Sequence, residues 1–150
     1  MNEPEKPPSQ AGKPMAMPSD MKAFNEKVIS EFRANHGQLS GPMAGRSVLL
    51  LTTVGARSGK PRTTVVGFGR QGDRLVVIAS NNGAPSVPNW YKNLLARPTA
   101  TVELGPEKFK VRATTAEPDE RDELAKAVPY LKQQQSLIER EIPIVVLDRV

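Results

Sequence analysis

The sequence has no cysteine. That excludes disulfides, thiolate metal sites, iron–sulfur clusters and a cysteine nucleophile, and it fits a reducing compartment. Histidine occurs once, as His36, so a structural zinc site, which takes about four ligands rich in His and Cys, is not expected. Aromatics are few: four Phe, two Tyr and one Trp. Stacking platforms of the kind that hold nucleic acid are therefore scarce, and nucleic-acid binding is not expected. No apolar run reaches the ~20 residues that span a bilayer, and residues 1–20 lack the apolar stretch of a secretory signal. The expected location is cytoplasmic.

What is present is a chain of 150 residues with a net charge of +5. A chain of this size should bury roughly 70% of its unfolded surface, enough for one core. The basic excess predicts affinity for an anion, and by charge alone this is a phosphorylated cofactor, nucleic acid or an acidic membrane. Residues 1–20, rich in Pro, Ser, Gln and Lys, read as a disordered tail, leaving 21–150 as the domain. Ser19 or Asp20 can cap a helix to about Asn35, with Phe24, Val28 and Phe32 on one face. Lys22, Lys27 and Arg33 make the other face basic. Such a helix can pack on the core or rest on a membrane surface as a peripheral contact.

Strands are expected over residues 47–54, 63–70, 74–80, 99–104, 108–115 and 142–147. Helices are expected over 89–97 and from Pro118 to about Arg140, broken at Pro129. Short turns between successive strands require antiparallel pairing. The class is α+β, mainly β, with about six antiparallel strands and flanking helices.

Two glycine patterns are decoys. Gly67-Phe68-Gly69-Arg70-Gln71-Gly72 matches G-x-G-x-x-G, but a strand follows where a dinucleotide fingerprint needs a helix. Phe68 between two glycines instead marks a place where something flat comes close to the backbone. Gly55-Ala56-Arg57-Ser58-Gly59-Lys60 is one residue short of a P-loop, and Pro61 replaces its magnesium-binding hydroxyl.

The same turn suits a phosphate. Arg57, Lys60 and Arg62 crowd three cations together, while Gly55 and Gly59 let the backbone turn its amides toward one anion. Ser58 adds a hydroxyl, and Thr52 and Thr53 offer two more from the strand end. A second group, Ser80-Asn81-Asn82-Gly83 followed by Pro88-Asn89-Trp90-Tyr91-Lys92-Asn93, carries donors and acceptors suited to a heterocycle edge. Trp90 serves either that ring or the core. No serine has a plausible histidine partner, so a Ser-His-Asp hydrolase is excluded. With so few reactive side chains, a bound cofactor is expected to carry the chemistry.

Taken together, residues 50–62, Ala79-Ser80-Asn81-Asn82-Gly83, Pro88-Asn89-Trp90-Tyr91-Lys92-Asn93-Leu94 and Ile142-Pro143-Ile144-Val145-Val146 resemble the deazaflavin-dependent nitroreductase family. These are actinobacterial oxidoreductases that use coenzyme F420. The resemblance runs from about Phe24 to Val150. It implies a split β-barrel in which the turn holds the cofactor's phosphate, with Arg57, Ser58, Gly59, Lys60 and Arg62 at matching positions; Thr53 and Gly55 join the expected cofactor-binding set from the reading of the turn itself. Ser80, Asn81, Gly83 and Trp90 match positions near the deazaflavin ring, and Val65 and Ile78 would wall it. A basic protein also suits that cofactor's acidic oligoglutamate tail. Nitroimidazole-activating members carry several tyrosines in the last helical segment. Here only Tyr130 is left, and Gly67 replaces a tyrosine in the second strand. The implied substrates are therefore small, planar, electron-poor quinones, enones or lactones. Ser80 and Tyr130 are the candidate catalytic side chains. Ordinary FMN is the alternative cofactor, and a non-catalytic carrier of deazaflavin or lipid is the alternative role.

Overall fold

Three short turns dictate the pairing. Residues 55–60 join β1 (Val48–Val54) to β2 (Pro61–Gly67), residues 72–73 join β3 (Gly69–Gln71) to β4 (Arg74–Ile78), and residues 105–106 join β5 (Thr99–Leu104) to β6 (Glu107–Thr115). With β7 (Ile144–Arg149) they make one seven-stranded antiparallel sheet in the order β2-β1-β5-β6-β7-β4-β3. The computed structural model describes residues 21–41, 44–81 and 84–150. The expected disordered tail lies outside them.

The count is seven because the strand expected over 63–70 breaks at Phe68, whose N–H turns to Ser47 O at 3.2 Å. β2 and β3 thus stand at opposite margins of the sheet, yet only Phe68 separates them in the chain. The sheet must curl to bring those margins together, and β2 touches β4. This is the expected split barrel.

Alternation along each strand sorts the core into an inside and an outside. Leu49, Leu51, Val66, Leu75, Val77, Val102, Val111, Val145 and Leu147 fill the barrel. Leu94, from α2 (Asn89–Ala96), closes one end, with Trp90 and Tyr91 packed beside it. On the outside, α3 (Arg121–Ala125) and α4 (Leu131–Gln135) frame a second cluster that holds Leu124, Val128 and Leu131 against Val76, Ile78, Ile144 and Val146. Helix α4 ends at Gln135, short of the expected Arg140.

A third cluster settles where the first helix goes. In α1 (Met21–Ala34), Val28 and Phe32 are buried against Val48 and Leu50, with Phe24 packed alongside. Each buried side chain of this size contributes roughly 1.5–3 kcal/mol, so laying the same face on a membrane would forfeit much of the helix's anchorage. Arg33 adds a two-pronged ion pair to Glu103 on β5, at 3.0 and 2.8 Å. The pair holds the Glu103 carboxyl below its usual range. Among the described residues no helix is long and apolar enough to cross a membrane.

Candidate cofactor and substrate site

Strand registers place both functional groups at one end of the barrel. Val54 pairs with Pro61, Thr52 with Thr101, Thr99 with Arg112, Thr115 with Val145, and Ile78 with Ile144. The turn after β1 and the segment leaving β4 at Ser80 therefore emerge from the same rim. Helix α2, which plugs that rim, lies between them.

The turn of residues 55–60 is held internally. Gly55 N–H donates to Lys60 O at 2.8 Å, and Gly59 N–H to Gly55 O at 2.9 Å. Lys60 N–H donates to Ser58 Oγ at 3.1 Å. Gly59 takes φ +71°, a left-handed conformation that favours glycine. Ala56 N–H donates to Asn93 Oδ1 at 2.9 Å, which ties the turn to α2. The anion cradle is thus narrower than expected. Four of the six amides are used, and among the described residues only those of Arg57 and Ser58 have no partner. The cations are fully available: Arg57, Lys60 and Arg62 are exposed, and none pairs with a carboxylate among the described residues.

Two threonines expected at the cradle have other partners. Thr52 and Thr63 share a hydroxyl–hydroxyl hydrogen bond of 2.7 Å. Thr53 points inward, is 1% exposed, and accepts a hydrogen bond from Asn93 Nδ2 at 3.0 Å. It anchors Asn93 inside the barrel and lies off the surface a cofactor can reach. The alternation that buries Leu49 and Leu51 also buries Thr53.

The outward positions of β2 lead away from the turn. Thr63, Val65 and Gly67 share that face, with Val65 beside the α1 cluster. From Pro61 to Gly67 the strand spans roughly 20 Å. At its far end, a Cβ on Gly67 would stand 3.2 Å from the Tyr130 hydroxyl. The register of β3 on β4 ends with Gly69 opposite Val76, and beyond the break β2 touches β4. Ile78 is buried against α3 and α4, so it backs this wall.

What approaches the Gly67-Phe68-Gly69 stretch is the chain itself. A Cβ on Gly69 would fall 1.8 Å from Ala127 O, and Arg70 lies over the Phe68 ring at 5.5 Å. The expectation of an external flat group at this point is corrected accordingly.

Ser80 is 8% exposed, and its hydroxyl has no hydrogen-bond partner among the described residues. Asn81 is exposed, adopts φ +52°, and donates from Nδ2 to Ser86 O at 3.1 Å. Gly83 lies outside the described residues. Trp90 is half-buried on the interior cluster, edge-on to Tyr91 at 6.2 Å. Tyr91 is tied to Thr115 by a 2.9 Å hydroxyl–hydroxyl bond. Burial pushes the Tyr130 phenol up to about 12. A groove of about 610 Å³ between α3 and α4, lined by Arg121, Lys126, Pro129 and Lys132 among others, shares no residue with these groups.

Two residues that hold the site were not singled out from sequence. Asn93 latches the turn. Arg140 binds the segment after Ser80 through carbonyls of Ala79, Ser80, Ala84 and Ser86. Asn93 sat inside the second motif without a visible partner, and Arg140 carried no local signal.

Comparison with known proteins agrees with this arrangement. Residues 25–149 match the model of the F420H(2)-dependent quinone reductase family. An F420H(2)-dependent quinone reductase of Mycobacterium tuberculosis is 35% identical over 127 residues, which is 79% of this chain and 85% of that protein. Among solved structures, an F420-H2 dependent reductase (FDR-A) superposes with a TM-score of 0.62 at 31% identity, covering 69% of this chain and 95% of that one. A heme binding protein from Mycobacterium smegmatis, at 20% identity and TM-score 0.54, shares the fold. The chain belongs to the F420H(2)-dependent quinone reductase family and is an oxidoreductase whose cofactor is coenzyme F420.

Proposed function

We propose that this protein reduces quinones, and by the same chemistry enones and activated lactones, with the phosphate of F420 at the turn of residues 55–62 and its ring toward Val65, Ile78 and Ser80. The observation that carries this reading is a rim that brings Arg57, Lys60 and Arg62, with no carboxylate partner among the described residues, together with the Ser80 hydroxyl, which has no partner among them either, while β2 leads from that rim to the buried Tyr130 phenol. Arg57, Lys60 and Arg62, with the amides of Arg57 and Ser58, fit a phosphate. Val65 offers an uncharged wall for a flat ring, and the strand beyond it is occupied at Gly67 by Tyr130.

When bound, reduced F420 supplies the hydride. The chain's own residues position and stabilise. Holding donor and acceptor in a reactive geometry can contribute roughly 7–11 kcal/mol. Ser80 Oγ–H donates to the substrate oxygen as negative charge develops there. Tyr130 Oη–H is the second donor at the far end of β2. Asn81 and Trp90 border the ring in this reading. Any peripheral membrane contact at α1 falls to its charged outer face, because its apolar face is taken by the sheet.

The test is a fluorescence titration of F420 against Arg57→Ala/Lys60→Ala. Losing two charge-assisted contacts should weaken affinity by about 100-fold or more. Unchanged affinity would refute the phosphate assignment. Purification as a yellow protein that releases FMN on heating would favour the flavin alternative.

A further inference from the structure

Arg140 stands apart from the other cations. Its Nη1 donates to Ala79 O at 3.2 Å, and its Nη2 lies 3.1, 3.1 and 3.0 Å from the carbonyl oxygens of Ser80, Ala84 and Ser86. Its Nε is buried without a partner, and no carboxylate pairs with it among the described residues. Among the described residues only carbonyl dipoles compensate this half-buried charge. Its own main chain is fixed in turn. Gln135 Nε2 donates to Arg140 O at 2.7 Å, and Gln135 Oε1 accepts from Ile142 N–H at 2.8 Å.

The arrangement reaches both sides of residues 82–83 from one guanidinium. A planar fork can serve several carbonyls at once, whereas a lysine ammonium acts as a point charge. The anchored peptide is that of Ser80 itself, so the orientation of its Cα–Cβ bond depends on Arg140. A donor placed for catalysis has to be held within about 0.5 Å.

We propose that Arg140 is a positioning residue for the reduction, setting the Ser80 hydroxyl against the substrate oxygen. The inference rests on the role assigned to Ser80 above. Arg140 acts through the main chain and not through the cofactor's phosphate, which the turn of residues 55–62 holds on its own.

A four-corner comparison tests it: the parent, Ser80→Ala, Arg140→Gln and the double variant. The readouts are kcat with reduced F420 and menadione, F420 affinity by fluorescence, and the thermal midpoint. Arg140→Gln should lower kcat about 10–100-fold, the cost of a displacement near 1 Å, with F420 affinity held within about threefold. The double variant should be no slower than Arg140→Gln, because the serine is already misplaced. Arg140→Lys should recover little. Losses in kcat that multiply, or a loss confined to F420 affinity, would overturn the positioning role while leaving Ser80 in place. An unaffected Ser80→Ala would instead overturn the Ser80 assignment and the inference with it. Should Arg140→Gln fail to fold, Gln135→Ala releases the main chain of Arg140 and Ile142 while leaving the guanidinium in place, and must show the same dependence on Ser80.

Discussion

The Tyr130 hydroxyl lies against Gly67, in a site where burial lifts its pKa from 10 to about 12. The sign of the consequence follows from linkage. The folded state keeps the phenolic proton to higher pH than the unfolded chain, so this contribution is complete below pH 10 and is lost as pH rises from 10 to 12. Tyr130→Phe should therefore show a shallower fall in stability than the parent across that window, measured by urea unfolding at stepped pH. Equal slopes would remove the buried-phenol description. Below pH 9 the variant's kcat profile should contain no titration that the parent lacks. At this scale the sequence was partly readable. The departure at Gly67 and the isolation of Tyr130 were visible in the chain, but their mutual contact spans two elements and has no local sign.

Helix α2 links the two halves of the site through Asn93, whose amide accepts from Ala56 N–H and donates to Thr53 Oγ1. Asn93→Ala leaves a buried hydroxyl and a turn amide without partners, which costs about 1–3 kcal/mol. It should also weaken F420 binding by about tenfold, because the cations stay but their frame loosens. Retained affinity together with lowered stability would show that the latch supports the fold alone. The contrast explains what could be read beforehand. The charge and glycines of the turn lie within eight consecutive residues, so the cradle announced itself. Asn93 meets its partners at separations of 37 and 40 residues, and Arg140 at 54 to 61. Contacts of that range depend on how the sheet curls. The strand pattern likewise gave every hairpin, but not the break at Phe68, which answers to the barrel's corner and not to any local preference.

Near the seam of the barrel, β3 packs against the chain just after α3. A Cβ at Gly69 would stand 1.8 Å from Ala127 O and 2.7 Å from its carbonyl carbon. Both are main-chain atoms, so no side-chain rotation relieves the overlap. Gly69→Ala should cost about 1–3 kcal/mol or more and lower the thermal midpoint by several degrees, at roughly 2–8 °C per kcal/mol. An unchanged midpoint in a thermal melt would contradict this packing. The same closure places Leu124 and Val128 on the sheet and with them Tyr130, so the variant should lose kcat in parallel with stability.

One run of chain supplies both margins of the sheet, β2 against β1 and β3 against β4. A slip of β2 by one residue would turn Val66 outward and Val65 inward. It would also drag β3 out of step with β4, so a single pairing error is penalised in two places. The protein therefore proofreads its own strand alignment, and a one-residue insertion beside Phe68 would uncouple the two checks.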